Sequence, residues 1–503
     1  MWSLLALAAL ASAQSNDERV LGVYMFHRHG DRTPKALAPT NLTSLGYNQV
    51  YSSGEYFRSR YISSASFSSS SSSNNSTLIT SISPNIVSYQ QVVASAPSDT
   101  VLHNSAQGFL QGLYPPVGSS LGTETLRNGS EIEAPMNGYQ LIPISTPSGF
   151  GSAGAGSEDA GWLQSTSNCA QAKISSNEYF SSEEYEALLE ETREFYEGLR
   201  AAVEEVVGEG NVENEVGELS FKNAYTIYDL LSLSLEQNTT LSNTSTISST
   251  LDTSTLEQLS SLANIHEWNL AYNTSSPIRA VSGSILASQA LSFLQSTISS
   301  QGQKNLLGIQ FGAYATFASF FGLAQLENVN DEFKGVVDFA SAMVWEMVSN
   351  SSSSSEDAFP SEDEIFVRFR FHNGTTTSDD ELLTYPLFGS GEDVLPWSDF
   401  VEGMQKISIE STEQWCTACG NFTGECAAYG DDAQSSASAA GKGSGSGNGL
   451  SPAVNGVIGA MVTLAVVLGL EALLLALGGL RVVKKRGAAQ ERVEEEVSEG
   501  EKA

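Results

Sequence analysis

Residues 20–26, Val-Leu-Gly-Val-Tyr-Met-Phe, form an unbroken apolar run of strand length. A run without polar alternation suits a central strand covered on both faces. Asn305–Phe311 predicts a second strand, followed by a helical stretch through Leu326. Ile365–His372 instead alternates, setting Val367, Phe369 and Phe371 against Arg368, Arg370 and His372. That period predicts a half-buried strand, with Asn373-Gly374 as a hairpin turn behind it. Ser182–Val207 predicts one long helix, because Tyr185, Leu188, Leu189, Phe195, Tyr196, Leu199, Val203 and Val206 share a face. Ser254-Thr255-Leu256-Glu257 reads as a capping box that opens a helix toward Tyr272. Strands at both ends with a helical middle predict an α/β sheet domain carrying a helical cap insertion over about residues 110–265.

The two ends of the chain read differently from its body. Met1–Ala13 is uncharged and apolar and closes on Ala11-Ser12-Ala13, the pattern of a secretory leader. Val454–Leu480 is apolar except for Asn455, Thr463 and Glu471, long enough for one transmembrane helix. Arg481, Lys484, Lys485 and Arg486 follow directly, so the positive-inside rule places the tail 481–503 in the cytosol. Residues 431–453, rich in Ser, Ala and Gly, read as a flexible linker below a globular segment 14–430. The expected product is a single-pass membrane protein of the secretory pathway, its folded part extracellular or lumenal.

Charge narrows the partners. The chain has 503 residues with 24 Lys and Arg against 58 Asp and Glu, a formal net charge of −34. Nucleic acid is excluded as a partner, since it requires a basic face. Nearly all the negative charge lies in segment 14–430, so an anion site there must be a local basic pocket. Asn41, Asn74, Asn75, Asn128, Asn238, Asn243, Asn273, Asn350, Asn373 and Asn421 open glycosylation sequons, and in an exported chain they predict N-linked glycans. The four cysteines, Cys169, Cys416, Cys419 and Cys426, predict disulfides with three possible connectivities. Cys416-x-x-Cys419 lacks a second pair to complete a zinc site.

Chemistry concentrates in one stretch. Phe26-His27-Arg28-His29-Gly30-Asp31-Arg32-Thr33-Pro34 directly follows the first strand, where α/β sheets place their ligands. There are only five histidines in the chain, and two of them stand here. Arg28 and Arg32 offer forked donors suited to phosphate oxygens. His29 suits attack on phosphorus, and Gly30 permits close backbone approach. A metal site on His27 and His29 lacks carboxylate or thiolate partners at ligand spacing, so the motif calls for neither metal nor cofactor.

This stretch resembles the Arg-His-Gly-x-Arg-x-Pro signature of the histidine acid phosphatases, the branch of the histidine phosphatase superfamily that includes fungal phytases. The resemblance continues through Leu42–Gln49, Gly54 and Arg58-Ser59-Arg60-Tyr61, through Ser105-Ala106, Phe109 and Gly112-Leu113, and through His266-Glu267-Trp268 and Ile278–Leu286. It implies a mixed central sheet flanked by helices and a small phosphorylated substrate. It also implies that His29 becomes a phosphohistidine while Arg28 and Arg32 hold the phosphoryl oxygens.

Two features of that pattern are missing. The third phosphate-binding arginine belongs just before Val101-Leu102, where Ala96–Thr100 contains none. His103, charged in acid, is the candidate substitute. The His-Asp pair that follows the second strand is replaced by Ala313 and Tyr314. A phenol of ordinary pKa near ~10 is a poor acid, and Asp99 and Glu267 are the candidate carboxylates from elsewhere. Loss of a general acid is worth ~10²–10⁴ in rate, and loss of a charged donor about 3–4 kcal/mol. Two readings follow. One is a membrane-anchored phosphomonoesterase with an altered general acid. The other is a catalytically impaired relative that binds phosphorylated ligands or serves as a surface glycoprotein.

Overall fold

The computed structural model describes residues 18–63, 77–79, 81–146, 168–237, 250–350, 358–377 and 380–430. The expected leader 1–13, linker 431–453, membrane span 454–480 and tail 481–503 lie outside the described residues. Among the described residues no helix is long and apolar enough to cross a membrane. Of the sequons within them, Asn41, Asn128, Asn350 and Asn373 are exposed and Asn273 and Asn421 half-buried.

The first apolar run is the middle of the sheet. Strand β1 (Arg19–Arg28) pairs in parallel with β6 (Leu307–Gly312) and antiparallel with β7 (Ala342–Ser349). The remaining strands are β2 (Val92–Ser95), β5 (Ile144–Ser145), β8 (Ile365–His372), β9 (Leu383–Tyr385) and β10 (Leu395–Pro396). Their order is β10-β8-β7-β1-β6-β2-β5, with β9 beside β8. A separate hairpin joins β3 (Thr123–Thr125) to β4 (Glu131–Glu133). Alternate residues of β1 serve opposite layers. Tyr24 and Phe26 enter a core with Phe317, Phe320 and Trp345, whereas Val23 and Met25 enter one with Phe57, Phe109 and Phe311. Burial on both faces is why the run shows no polar alternation.

Helices α1 (Ser44–Tyr61) and α2 (Thr100–Leu113) cover one face. A cap with its own core holds α3 (Ala224–Gln237) and α4 (Thr253–Ala271), packed on Tyr196, Phe221, Leu230 and Leu259. The opposite face carries α5 (Val281–Ser299) and α6 (Tyr314–Leu323).

Local chemistry shifts three predicted features. The helix expected over 182–207 is three pieces, Glu183–Glu191, Arg193–Gly198 and Arg200–Val207. At the first break the Thr192 hydroxyl donates to the Leu188 carbonyl at 2.6 Å, the back-bonding that lets Thr compete with helix. The predicted face survives, with Tyr185, Tyr196 and Val203 buried. Helix α4 is capped by Asp252, not by Ser254, because the Asp252 carboxylate accepts from Thr255 N at 2.8 Å. Asn373-Gly374 is not a tight hairpin turn, since the β8–β9 pairing, from Phe369 opposite Tyr385 to Phe371 opposite Leu383, stops well short of a two-residue connection. Asn373 Oδ1 instead accepts from Asp338 N at 2.8 Å and from Ser341 Oγ at 3.0 Å, tying the loop ahead of β7. Of the two disulfides, Cys169–Cys419 fastens the start of the cap to the C-terminal helix Thr412–Cys419, and Cys416–Cys426 ties that helix to the turn that follows it.

Candidate active site

The register of the central strands assembles the site. Arg28 lies opposite Gly312, so β1 and β6 end together, and His29 N donates to Gly312 O at 3.3 Å. Residues 29–32 therefore share one sheet edge with Ala313 and Tyr314. The strand pleat separates the two histidines. His27 turns into the core against Phe109 and Phe311, at 5.1 and 4.9 Å between ring centres. Its Nδ1 donates to Arg28 O at 2.6 Å, and burial pushes its pKa down to about 4. His29 lies against Phe339, at 5.4 Å, so the two rings do not converge on a metal. Among the described residues no cluster of three or more His, Cys, Asp or Glu could hold a metal ion.

Gly30 makes the tight turn possible. A Cβ there would stand 2.2 Å from the Gly46 carbonyl oxygen, and one on Gly46 would stand 2.0 Å from the oxygen of Asp31. Two glycines thus let the first turn of α1 rest on the signature loop. Thr43 caps that helix, accepting from Gly46 N at 3.0 Å, and its hydroxyl donates to the Asp31 carboxylate. Ser105 of α2 accepts from Gly30 N at 3.2 Å.

His29 is buried and oriented. Its Nδ1 donates to Gly30 O at 2.8 Å, so the lone pair resides on Nε2. Burial, then the positive charges of Arg28 and Arg32, hold its pKa well below 6.5. Arg28 donates to Val337 O and lies over the Phe339 ring at 4.3 Å. Its buried Nε has no partner among the described residues.

Arg32 is committed differently. Its terminal nitrogens meet both carboxylate oxygens of Asp229, at 3.1 and 2.9 Å, together with Thr33 O at 3.0 Å and Tyr225 OH at 3.2 Å. Asp229 also accepts from Lys35 N at 2.8 Å. Gln237, at the end of the same helix α3, donates to Asp31 and to Arg32 O. The cap is thus strapped onto the signature loop. Lys35 Nζ sits 5.8 and 5.7 Å from the ring centres of Tyr225 and Tyr314.

Tyr314 stands in this group, its ring 4.7 Å from Tyr225 and 5.4 Å from the Arg28 guanidinium. Its hydroxyl donates to Glu267 Oε2 at 2.7 Å. Burial, reinforced by the Glu267 charge, pushes the phenol well above 10. Ala313 is the cap position of α6. His103 is half-buried on the first turn of α2, with no hydrogen bond from its ring among the described residues. Asp99 is spent as the cap of α2, accepting from Val101 N and Leu102 N. Asp229, Tyr225 and Phe339 are the members that sequence reasoning missed. Asp229 carried a signal, a lone carboxylate in the apolar helical run Tyr225–Leu235.

The family model of the histidine phosphatase superfamily (branch 2) matches residues 37–372. No curated protein matches the sequence. Among solved structures, the phytase of Klebsiella sp. ASR1 is similar with a TM-score of 0.50 and 12% identity, over 79% of this chain and 96% of that one. Hafnia alvei phytase in complex with tartrate gives 0.47 and 12%, over 80% and 98%. The multiple inositol polyphosphate phosphatase of Bifidobacterium longum, in complex with inositol hexasulfate, gives 0.47 and 10%, over 81% and 96%.

Proposed function

We propose a function on one premise: the chain belongs to the histidine phosphatase superfamily (branch 2). The protein is a phosphomonoesterase that works through a phosphohistidine at His29. The observation that carries this reading is His29 itself, with Nδ1 pinned to Gly30 O, the pKa held down, and two guanidinium groups beside it. Nε2 attacks phosphorus, and the ester P–O bond breaks with its electron pair leaving on the alkoxide. Water then attacks phosphorus, and the P–N bond returns its pair to Nε2 as inorganic phosphate departs. Arg28, whose Nε has no partner among the described residues, and the charge of Arg32 offset the equatorial oxygens.

The surrounding charges fit a single phosphoryl group. Arg28, Arg32 and Lys35 are opposed by the carboxyl groups of Asp31, Asp229 and Glu267, so the pocket has little net positive charge to spare. A multiply phosphorylated ligand finds little here to hold its further anions. The apolar ends of the chain, the sequons and the disulfides support a glycosylated single-pass protein anchored in a membrane of the secretory pathway.

The test is hydrolysis of an aryl phosphate near pH ~5 by the detergent-solubilised full chain, beside His29→Ala. An aryl leaving group needs little protonation, so it probes the nucleophile alone. A rate that His29→Ala does not remove sinks the reading. One observation favours the impaired relative. All the terminal donors of Arg32 already have protein partners, so a site that binds phosphate without turning it over is the reading left by zero turnover.

A further inference from the structure

The carboxylate of Glu267 is gripped from both sides. Oε2 accepts from the Tyr314 hydroxyl at 2.7 Å, and Oε1 meets His266 Nδ1 at 2.8 Å. His266 sits in a box of Tyr179, Phe180, Tyr185 and Phe221, with ring centres 5.4–6.5 Å away. Its Nε2 is buried and unpartnered among the described residues, so Nδ1 carries the proton and donates it to Glu267. Consecutive residues of α4 thus orient one carboxyl group, and α6 delivers a hydroxyl to it from the sheet edge that holds His29.

We propose that Glu267 is the proton source for the leaving group and that Tyr314 hands the proton over. This rests on the phosphohistidine reading above. As the ester bond breaks, the leaving oxygen takes its electron pair and the Tyr314 hydroxyl proton. For this step the 2.7 Å bond runs the other way, with Glu267 protonated on Oε2 and donating to the Tyr314 oxygen while the Tyr314 hydroxyl turns to the leaving oxygen; Glu267 gives up that proton in the same movement and is left as the carboxylate that accepts from Tyr314. In the second half-reaction water loses its proton to the Tyr314 oxygen while the Tyr314 hydroxyl proton returns to Glu267. Tyr314 stays neutral throughout, which its high pKa demands. A buried phenol is too weak an acid to act alone, and the carboxyl behind it removes that obstacle.

Three other carboxylates of the site are already committed. Asp229 holds Arg32, Asp31 is bound by Thr43 and Gln237, and Asp99 caps α2. Tyr314 occupies a place where the family resemblance expects the acid, so the chain keeps proton delivery at that spot and moves its source to another helix. His266 is a positioning residue in this scheme.

The experiment uses the full chain in detergent and a series of phosphomonoesters from nitrophenyl to simple alkyl. It reads log kcat/KM against the leaving-group pKa. The wild type gives a shallow slope. Tyr314→Phe and Glu267→Gln lose ~10²–10⁴ on alkyl esters and less than about tenfold on nitrophenyl phosphate, because only the poor leaving group needs the proton. His266→Gln steepens the slope in the same direction by less. A merely structural role lowers all esters equally, so parallel slopes with His29-dependent turnover overturn the relay and leave the nucleophile standing. If no ester turns over through His29, the phosphatase reading falls and the relay falls with it.

Discussion

Asp229 closes both of its carboxylate oxygens on the guanidinium of Arg32, at 2.9 and 3.1 Å, with both side chains shut away from water. A buried pair of this kind is costly to break, because the surviving charge keeps its desolvation penalty without its partner. Asp229→Ala is expected to lose about 3–5 kcal/mol of stability. The vacated fork is also a phosphate fork. Inorganic phosphate should therefore raise the melting temperature of Asp229→Ala by more than that of the wild type. Thermal unfolding of both proteins with and without phosphate reads this. An equal shift would mean that Arg32 takes no part in anion binding.

The neutral state of His29 sets the acid side of the rate profile. Burial and the two arginines lower its pKa well below 6.5, so the nucleophile stays unprotonated in mild acid. For an aryl phosphate, kcat/KM should show no fall centred near ~6.5 as pH decreases. His29→Ala should reduce the rate by ~10³ or more. A sigmoidal loss of activity centred near that pH would show a solvated, ordinary imidazole and contradict the burial of the ring.

How much of this was legible depended on sequence distance. Strand β1 was readable because burial on both faces writes an unbroken apolar run, and β6 less sharply so because Gln310 interrupts it. The signature loop was readable because its arginines and His29 are neighbours in the chain. The grip of Asp229 on Arg32 spans 197 residues, and a lone carboxylate in an apolar helix does not say which cation it meets. Glu267 could be named as a carboxylate, but its bond to Tyr314 depends on how α4 crosses α6. The break at Thr192 was missed for another reason. A helical face pattern is blind to one hydroxyl that bonds its own backbone. The disulfide partners of Cys416 and Cys419 required the fold itself, since spacing alone left three connectivities.

His27 should make the fold acid-sensitive. Its folded pKa of about 4 lies below an unfolded value near ~6.5, so the unfolded chain takes up a proton that the folded protein refuses. Stability is lost as pH falls from about 6.5 to about 4, by roughly 3 kcal/mol in full, and the loss is constant below that window. His27→Leu removes the titration and forfeits only the bond to Arg28 O, worth about 1 kcal/mol. The variant should be slightly less stable at pH ~7 and more stable at pH ~4.5. Denaturant midpoints at the two values measure the crossover. Curves that stay parallel would place the imidazole in water.

Glu346 of β7 has the opposite sign. It is wholly buried and paired with Arg60 at 2.9 Å, Arg370 at 2.8 Å and Arg368 at 2.5 Å, and Tyr61 donates to it as well. Burial opposes its charge, but the three guanidinium groups win and hold the carboxyl well below its usual range. The stability it provides is complete above the unfolded value near ~4.3 and drains away as pH falls toward the folded one. Glu346→Gln leaves Arg60 and Arg370 around a neutral amide, while Arg368 keeps Glu18 at 2.8 Å, and should cost about 3–5 kcal/mol near neutrality. The gap between wild type and variant should narrow only below pH ~4.3. Chemical denaturation of both proteins from neutral to strongly acid pH tests this. A gap that closes above that value, or never opens, would mean that the arginines are held by something other than this carboxylate.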